Sequence, residues 1–150
     1  VRLATRVFRE LAGDPAGGAW PQLITPVPSH WLRRLHRGGG GCRIVAAAVH
    51  RSLRRISRNC VYRDCLRVTR RIEKQAWLGE KERESNVRGA FRLAGSPRFG
   101  RRQQHLGGRA VLLVDDVMTT GATSNEIARV LKAAGAGRVV VAVVARALGR

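Results

Sequence analysis

Apolar and polar positions alternate along the chain in runs whose spacing predicts an α/β order. Residues 1–12 place Val1, Ala4, Val7, Phe8 and Leu11 on one helical face, and residues 13–18, with Asp14, Pro15 and three glycines, break it. Residues 22–28, centred on Leu23-Ile24-Thr25-Pro26-Val27, predict a short strand whose prolines turn its end into an extended loop. In residues 44–56, Ile44, Val45, Ala48, Val49, Leu53 and Ile56 recur at helical spacing. Residues 61–68 predict a second strand. Residues 69–86 are charged, bury little beyond Ile72, Trp77 and Leu78, and predict an excursion with a helix around 80–85. Residues 86–93 return to an extended pattern, and 94–108 form a polar, glycine-bearing loop.

The run over residues 109–117 is apolar until it reaches two adjacent carboxylates, Asp115 and Asp116. A run of this length without polar alternation predicts a parallel strand covered on both faces. Thr123 and Glu126 stand at capping-box spacing, and the helix they predict buries Ile127, Val130, Leu131 and Ala134 before Gly135 ends it. Residues 139–145 predict a last buried strand, completing a right-handed βαβ unit. With no repeats and no linker, residues 1–150 read as a single domain.

Composition adds charge to this picture. Apolar residues make up 44%, enough for a core, yet 29 Lys and Arg stand against 10 acidic residues, a net charge of +19. Apart from Lys74, Lys81 and Lys132 the basic residues are arginine. This charge predicts attraction to polyanions, whether phosphorylated ligands or nucleic acid, and equally suits a plain solvated basic surface. Trp20, Trp31 and Trp77 are scattered, which gives little support to base stacking. Cys42, Cys60 and Cys65 form no paired framework, which argues against a disulfide scaffold and suits a reducing, cytoplasmic setting. Cys60 and Cys65 lack the close spacing of a zinc knuckle. No membrane span and no signal peptide are expected, and a start at Val1 rather than Met is compatible with an upstream piece.

Chemistry concentrates in residues 111–123, an apolar strand, Asp115-Asp116, and then Thr119-Thr120-Gly121-Ala122-Thr123 at the start of a helix. In open α/β sheets ligands lie beyond the carboxyl ends of the strands. Adjacent carboxylates accept hydrogen bonds from vicinal hydroxyls, and a small loop opening a helix binds phosphate. A receiver domain also places an acidic pair after a strand, but no further Asp follows Asp116 to accept a phosphoryl group. A Walker site needs a glycine-rich run ending in Gly-Lys-Ser/Thr, and none exists.

The whole run resembles the signature of the type I phosphoribosyltransferases, which use phosphoribosyl pyrophosphate. The resemblance extends to the ComF-type competence-protein branch through Pro26-Val27-Pro28, Arg37-Gly38, Thr69, Gln75, Leu78, Arg83, Asn86, Val87-Arg88-Gly89-Ala90-Phe91 and Ala145-Arg146-Ala147, spanning nearly the whole chain. It implies a mostly parallel twisted sheet flanked by helices, with a small lid or hood at residues 69–108. It implies transfer of ribose 5-phosphate to a nitrogen nucleophile with magnesium-assisted release of pyrophosphate. On that resemblance Asp115 and Asp116 hold the ribose hydroxyls and, through water or substrate, the metal. Thr119, Thr120, Gly121, Ala122 and Thr123 bind the 5′-phosphate. Val27, Pro28, Ser29 and His30, with Arg33, Arg34 and Arg37, meet the pyrophosphate, and Gln75, Arg83 and Asn86 belong to the lid. His30 and His36 carry no catalytic role.

Two departures from the branch stand out. Gly39, Gly40 and Gly41 occupy the places of Phe-Asn-Gln, so polar side chains expected beside the pyrophosphate are missing. The N-terminal zinc-ribbon segment that such proteins often carry is not in the sequence, so either the protein lacks it or the chain is incomplete. The resemblance therefore also implies a second class of function, a weakly active or non-catalytic protein tied to DNA uptake through its basic surface and the competence machinery. An apolar N-terminal helix could pair two copies into a homodimer.

Overall fold

The computed structural model describes residues 20–28, 40–70, 72, 80–94 and 106–147. The predicted N-terminal helix and residues 29–39, which carry His30, Arg33, Arg34, His36 and Arg37, lie outside the described residues. The described elements are β1 (Leu23–Pro26), α1 (Gly41–Leu53), β2 (Val61–Tyr62), β3 (Leu66–Val68), α2 (Glu80–Val87), β4 (Phe91–Leu93), β5 (Ala110–Met118), α3 (Ala122–Ala133) and β6 (Arg138–Arg146). Strands run in the order β2-β1-β5-β6, all parallel, and β3 and β4 form a separate antiparallel pair.

β5 is central and is apolar because both its faces are covered. Val111 and Leu113 join Leu23, Ile127 and Leu131 on the side of α3. Leu112 and Val114 join Ile24, Ala46, Val49 and Leu53 on the side of α1. Trp20 packs at the margin of this second cluster. Truncating any of the fully buried leucines to Ala would cost about 2–5 kcal/mol. Thr25, the polar residue of β1, is buried and accepts a hydrogen bond from the Cys65 thiol at 3.4 Å.

The βαβ unit β5-α3-β6 stands as its pattern predicts, and four other expectations change. Residues 61–68 are two strands, not one. The Arg63 amide still donates to the Ile24 carbonyl, but Asp64 then pairs with both Arg43 and Arg67, and the chain leaves the main sheet. Residues 86–93 are not extended throughout. α2 runs to Val87, Gly89 turns the chain at φ +69°, and the strand begins at Phe91. α1 starts at Gly41 and buries Cys42, Ala46, Val49 and Leu53, leaving Ile44 at 67% exposed and Ile56 at 53% exposed. Ala46, Val49 and Leu53, rather than the two isoleucines, meet the sheet. The capping box at Thr123 and Glu126 does not form. Gly121 is the N-cap, at φ +84°, and α3 begins two residues earlier than the box requires, at Ala122.

Glu126 instead accepts the Gly89 amide at 2.8 Å and is gripped by Arg129 at 2.7 and 2.9 Å. The Arg129 bonds hold its carboxyl below the usual range. This buried carboxylate ties α3 to the turn before β4, while Val87, Ala90 and Phe91 enter the core cluster of Ile127 and Leu131. The described part of the 69–108 segment is thus anchored on α3, with Ile72 packed at the edge of the same cluster.

Candidate functional site

β5 runs two residues past the carboxylates, to Met118, pairing Asp115 with Val143, Val117 with Ala145 and Met118 with Arg146. Asp115 is 7% exposed and Asp116 half-buried. Each carboxylate is oriented by the next backbone amide. The Asp116 amide donates to Asp115 Oδ1 at 2.9 Å, and the Val117 amide to Asp116 Oδ1 at 2.8 Å. Burial pushes the Asp115 carboxyl up to about 6, against the opposing pull of the Asp116 amide, with the neighbouring Asp116 charge adding to the rise.

The start of α1 closes on this pair. Cys42 Sγ donates to Asp115 Oδ1 at 3.6 Å, and a Cβ on Gly41 would lie 3.6 Å from Asp116 Oδ2. Burial and the two acidic neighbours push the Cys42 thiol up to about 12. The donor atoms of Cys42, Asp115 and Asp116 all lie within 4.8 Å of one another. Sequence reasoning weighed Cys60 and Cys65 for metal and passed over Cys42. The signal was the helical stripe Cys42, Ala46, Val49 and Leu53, which puts the thiol on the sheet-facing side of α1.

Beyond Met118 the chain makes the turn Thr119-Thr120-Gly121 and enters α3. Thr120 Oγ1 accepts the Ala122 amide at 3.5 Å, and the first intrahelical bond runs from the Asn125 amide to the Gly121 carbonyl at 2.8 Å. The amides of Thr123 and Ser124 meet no acceptor among the described residues. Ser124 Oγ is buried with no hydrogen-bond partner among the described residues. Free amides at a helix N-terminus carry the positive end of the helix dipole and receive anions.

Val27 is tied beside the pair, its amide donating to the Val114 carbonyl at 2.8 Å, with half-buried Pro28 next to it. Ser29, His30, Arg33, Arg34, Arg37 and Gln75 lie outside the described residues, as does the Arg83 side chain. Asn86 sits half-buried on α2, its carbonyl accepting Arg70 Nη2 at 3.0 Å. The structure thus brings together Val27, Pro28, Asp115, Asp116 and the loop 119–123, adds Gly41 and Cys42, and leaves Asn86 on the separate layer that rests on α3.

A model of the phosphoribosyl transferase domain matches residues 40–150. The chain belongs to that family. Within this phosphoribosyltransferase family its relatives are of the ComF type. It is 32% identical over 127 residues to Competence protein F of Haemophilus influenzae, covering 85% of this chain and 51% of that protein. It is 30% identical over 133 residues to the DNA utilization protein YhgH of Escherichia coli, again covering 85% of this chain and 51% of that protein. The chain therefore spans about half the length of the curated relatives it matches. A solved structure titled as the allosteric regulatory enzyme of purine biosynthesis aligns over 94% of this chain and 25% of its own at 21% identity, with a TM-score of 0.46. The mostly parallel sheet flanked by helices is the phosphoribosyltransferase fold. Among the described residues no helix is long and apolar enough to cross a membrane.

Proposed function

We propose that the chain binds phosphoribosyl pyrophosphate and transfers its ribose 5-phosphate to a nitrogen nucleophile, releasing pyrophosphate. One juxtaposition carries this reading: two oriented carboxylates on the central strand, followed within a five-residue loop by a helix start with open amides. The carboxylates of Asp115 and Asp116 accept the vicinal hydroxyls of the ribose. The loop Thr119, Thr120, Gly121, Ala122 and Thr123 takes the 5′-phosphate on backbone amides and hydroxyls. The two groups fix the ribose from both ends, so its anomeric carbon is held for in-line attack while the pyrophosphate departs. Val27 and Pro28 border the pyrophosphate side, with the arginines of residues 33–37 as its counter-charges. Hard carboxylate oxygens suit magnesium, which Asp115 and Asp116 would hold through water or substrate. When bound, that ion neutralises the leaving pyrophosphate.

The test is calorimetric titration of phosphoribosyl pyrophosphate with magnesium into the wild type and into Asp115→Asn combined with Asp116→Asn. Donor binding lost in the double variant supports the reading, and unchanged affinity overturns it. A panel of nitrogen bases scored by pyrophosphate release then identifies the acceptor.

A second reading is a nucleic-acid-associated role within a competence system. Arg51, Arg54, Arg55 and Arg58 are exposed at the end of α1 and just beyond, and no acidic partner among the described residues pairs with them. The names of the relatives point the same way. Binding to DNA whose logarithm falls steeply with the logarithm of salt concentration supports this role, and a flat response counts against it.

A further inference from the structure

We propose that Cys42, Asp115 and Asp116 form a direct coordination site for a borderline-soft divalent cation such as zinc. Two hard oxygen donors and one sulfur converge there from elements 73 residues apart in sequence. All three donor atoms lie within 4.8 Å of one another. For metal–sulfur and metal–oxygen bonds of about 2.3 and 2.0 Å, a tetrahedral ligand edge is about 3.5 Å. The Cys42 Sγ to Asp115 Oδ1 distance is 3.6 Å. Both carboxylates are already oriented by backbone amides at 2.9 and 2.8 Å, the kind of outer support that fixes metal ligands. Asp116 Oδ2 faces Gly41, where no side chain crowds it. Three protein ligands leave the fourth position to water, the pattern of an open zinc site.

The site differs from the magnesium contact of a phosphoribosyltransferase in kind. Magnesium takes oxygen ligands and gains nothing from a thiolate, whereas zinc, cadmium and cobalt do. On coordination the metal–sulfur bond forms and the thiol proton passes to solvent, so no oxidant or reductant takes part. Where the donor reading also holds, an ion seated here occupies the oxygens meant for the ribose, and zinc acts as an inhibitor of donor binding.

The experiment titrates cobalt(II) and zinc(II) into the chain without any phosphoribosyl donor, so its outcome is independent of the donor reading. Expected is a sulfur-to-cobalt charge-transfer band in the near ultraviolet. It should vanish in Cys42→Ser and persist in Cys60→Ser combined with Cys65→Ser, with zinc affinity falling at least about 10-fold in Cys42→Ser. A band that survives Cys42→Ser, or that disappears only with the other two cysteines, overturns the proposal. X-ray absorption on the zinc-loaded wild type needs no variant. One sulfur at about 2.3 Å with oxygens completing the shell supports the site, and a shell without sulfur overturns it.

Discussion

Helices α1 and α3 both begin at a glycine N-cap that supplies no side-chain hydrogen bond, and neither has an acidic residue in its first turn. Neither positive end is therefore compensated from within its own cap or first turn. What they face differs. The start of α1 meets the protein's own anions, with Gly41 beside Asp116 and Cys42 beside Asp115. Among the described residues the start of α3 meets no anion at Thr123 and Ser124. One helix end supports the carboxylates, and the other is where the proposed reading puts the donor's 5′-phosphate. The helix dipole adds only about 0.3–1 kcal/mol, too little to outweigh desolvation, which is why the Asp115 carboxyl still stands raised, at about 6.

The largest way to break this division is to remove the anions. Asp115→Asn with Asp116→Asn deletes two charge-assisted acceptors, each worth about 1.5–3 kcal/mol. Donor affinity by calorimetry should fall more than about 100-fold, while the folded state survives. An unaltered affinity would mean that the ribose is held elsewhere.

The next effect separates holding a ligand from holding the fold. A carboxyl whose folded value of about 6 lies above its ordinary 3.8 favours the folded state when protonated. That contribution is fully present below about 3.8 and is lost as the pH rises through about 6. The gap corresponds to at most about 3 kcal/mol. Asp115→Asn alone should therefore raise stability at pH 7–8 by up to that amount, with the gain fading below pH 4, as measured by urea unfolding across pH. The same titration makes donor affinity in the wild type rise with pH through about 6, because the ionised carboxylate is the better acceptor for ribose hydroxyls.

The division between the helix ends was only half visible in the amino-acid order. β5, α3 and β6 were legible because their runs are long and their periods unambiguous, so the acidic pair and the loop 119–123 could be placed together. The split of residues 61–68 was hidden because Val61, Tyr62, Leu66 and Val68 read as one run, and only the three-dimensional pairing of Asp64 with Arg43 and Arg67 ends it. Thr123 and Glu126 spell a cap, but the left-handed turn at Gly121 moves the helix start and frees Glu126 to hold the Gly89 amide. Cys42 was missed because the helix predicted over 44–56 was framed by Ile44 and Ile56, both of which are exposed.

Two glycine substitutions then compare the helix starts directly, one expected to hurt and one to help. Gly121 sits at φ +84°, where an L side chain costs about 1–2 kcal/mol, and its added Cβ would meet only Met118 Sδ at 3.6 Å. Gly121→Ala should lower stability by that amount through backbone strain rather than crowding. If the loop takes the 5′-phosphate as proposed, it should also weaken donor binding about 10-fold by shifting the amides of residues 122–124.

Gly41→Ala should have the smallest effect and the opposite sign. Gly41 has no positive φ, and its added Cβ would stand at an ordinary 3.6 Å from Asp116 Oδ2. Nothing in the backbone resists Ala, and replacing glycine in the first turn of a helix removes unfolded-state freedom. Stability should rise by about 0.4–1 kcal/mol in urea unfolding. A loss instead would place a group of the described site, Asp116 Oδ2 above all, in a tighter relation to α1 than the distances indicate. The start of α1 would then constrain the carboxylates sterically as well as electrostatically, and the contrast with α3 would be one of packing before it is one of charge.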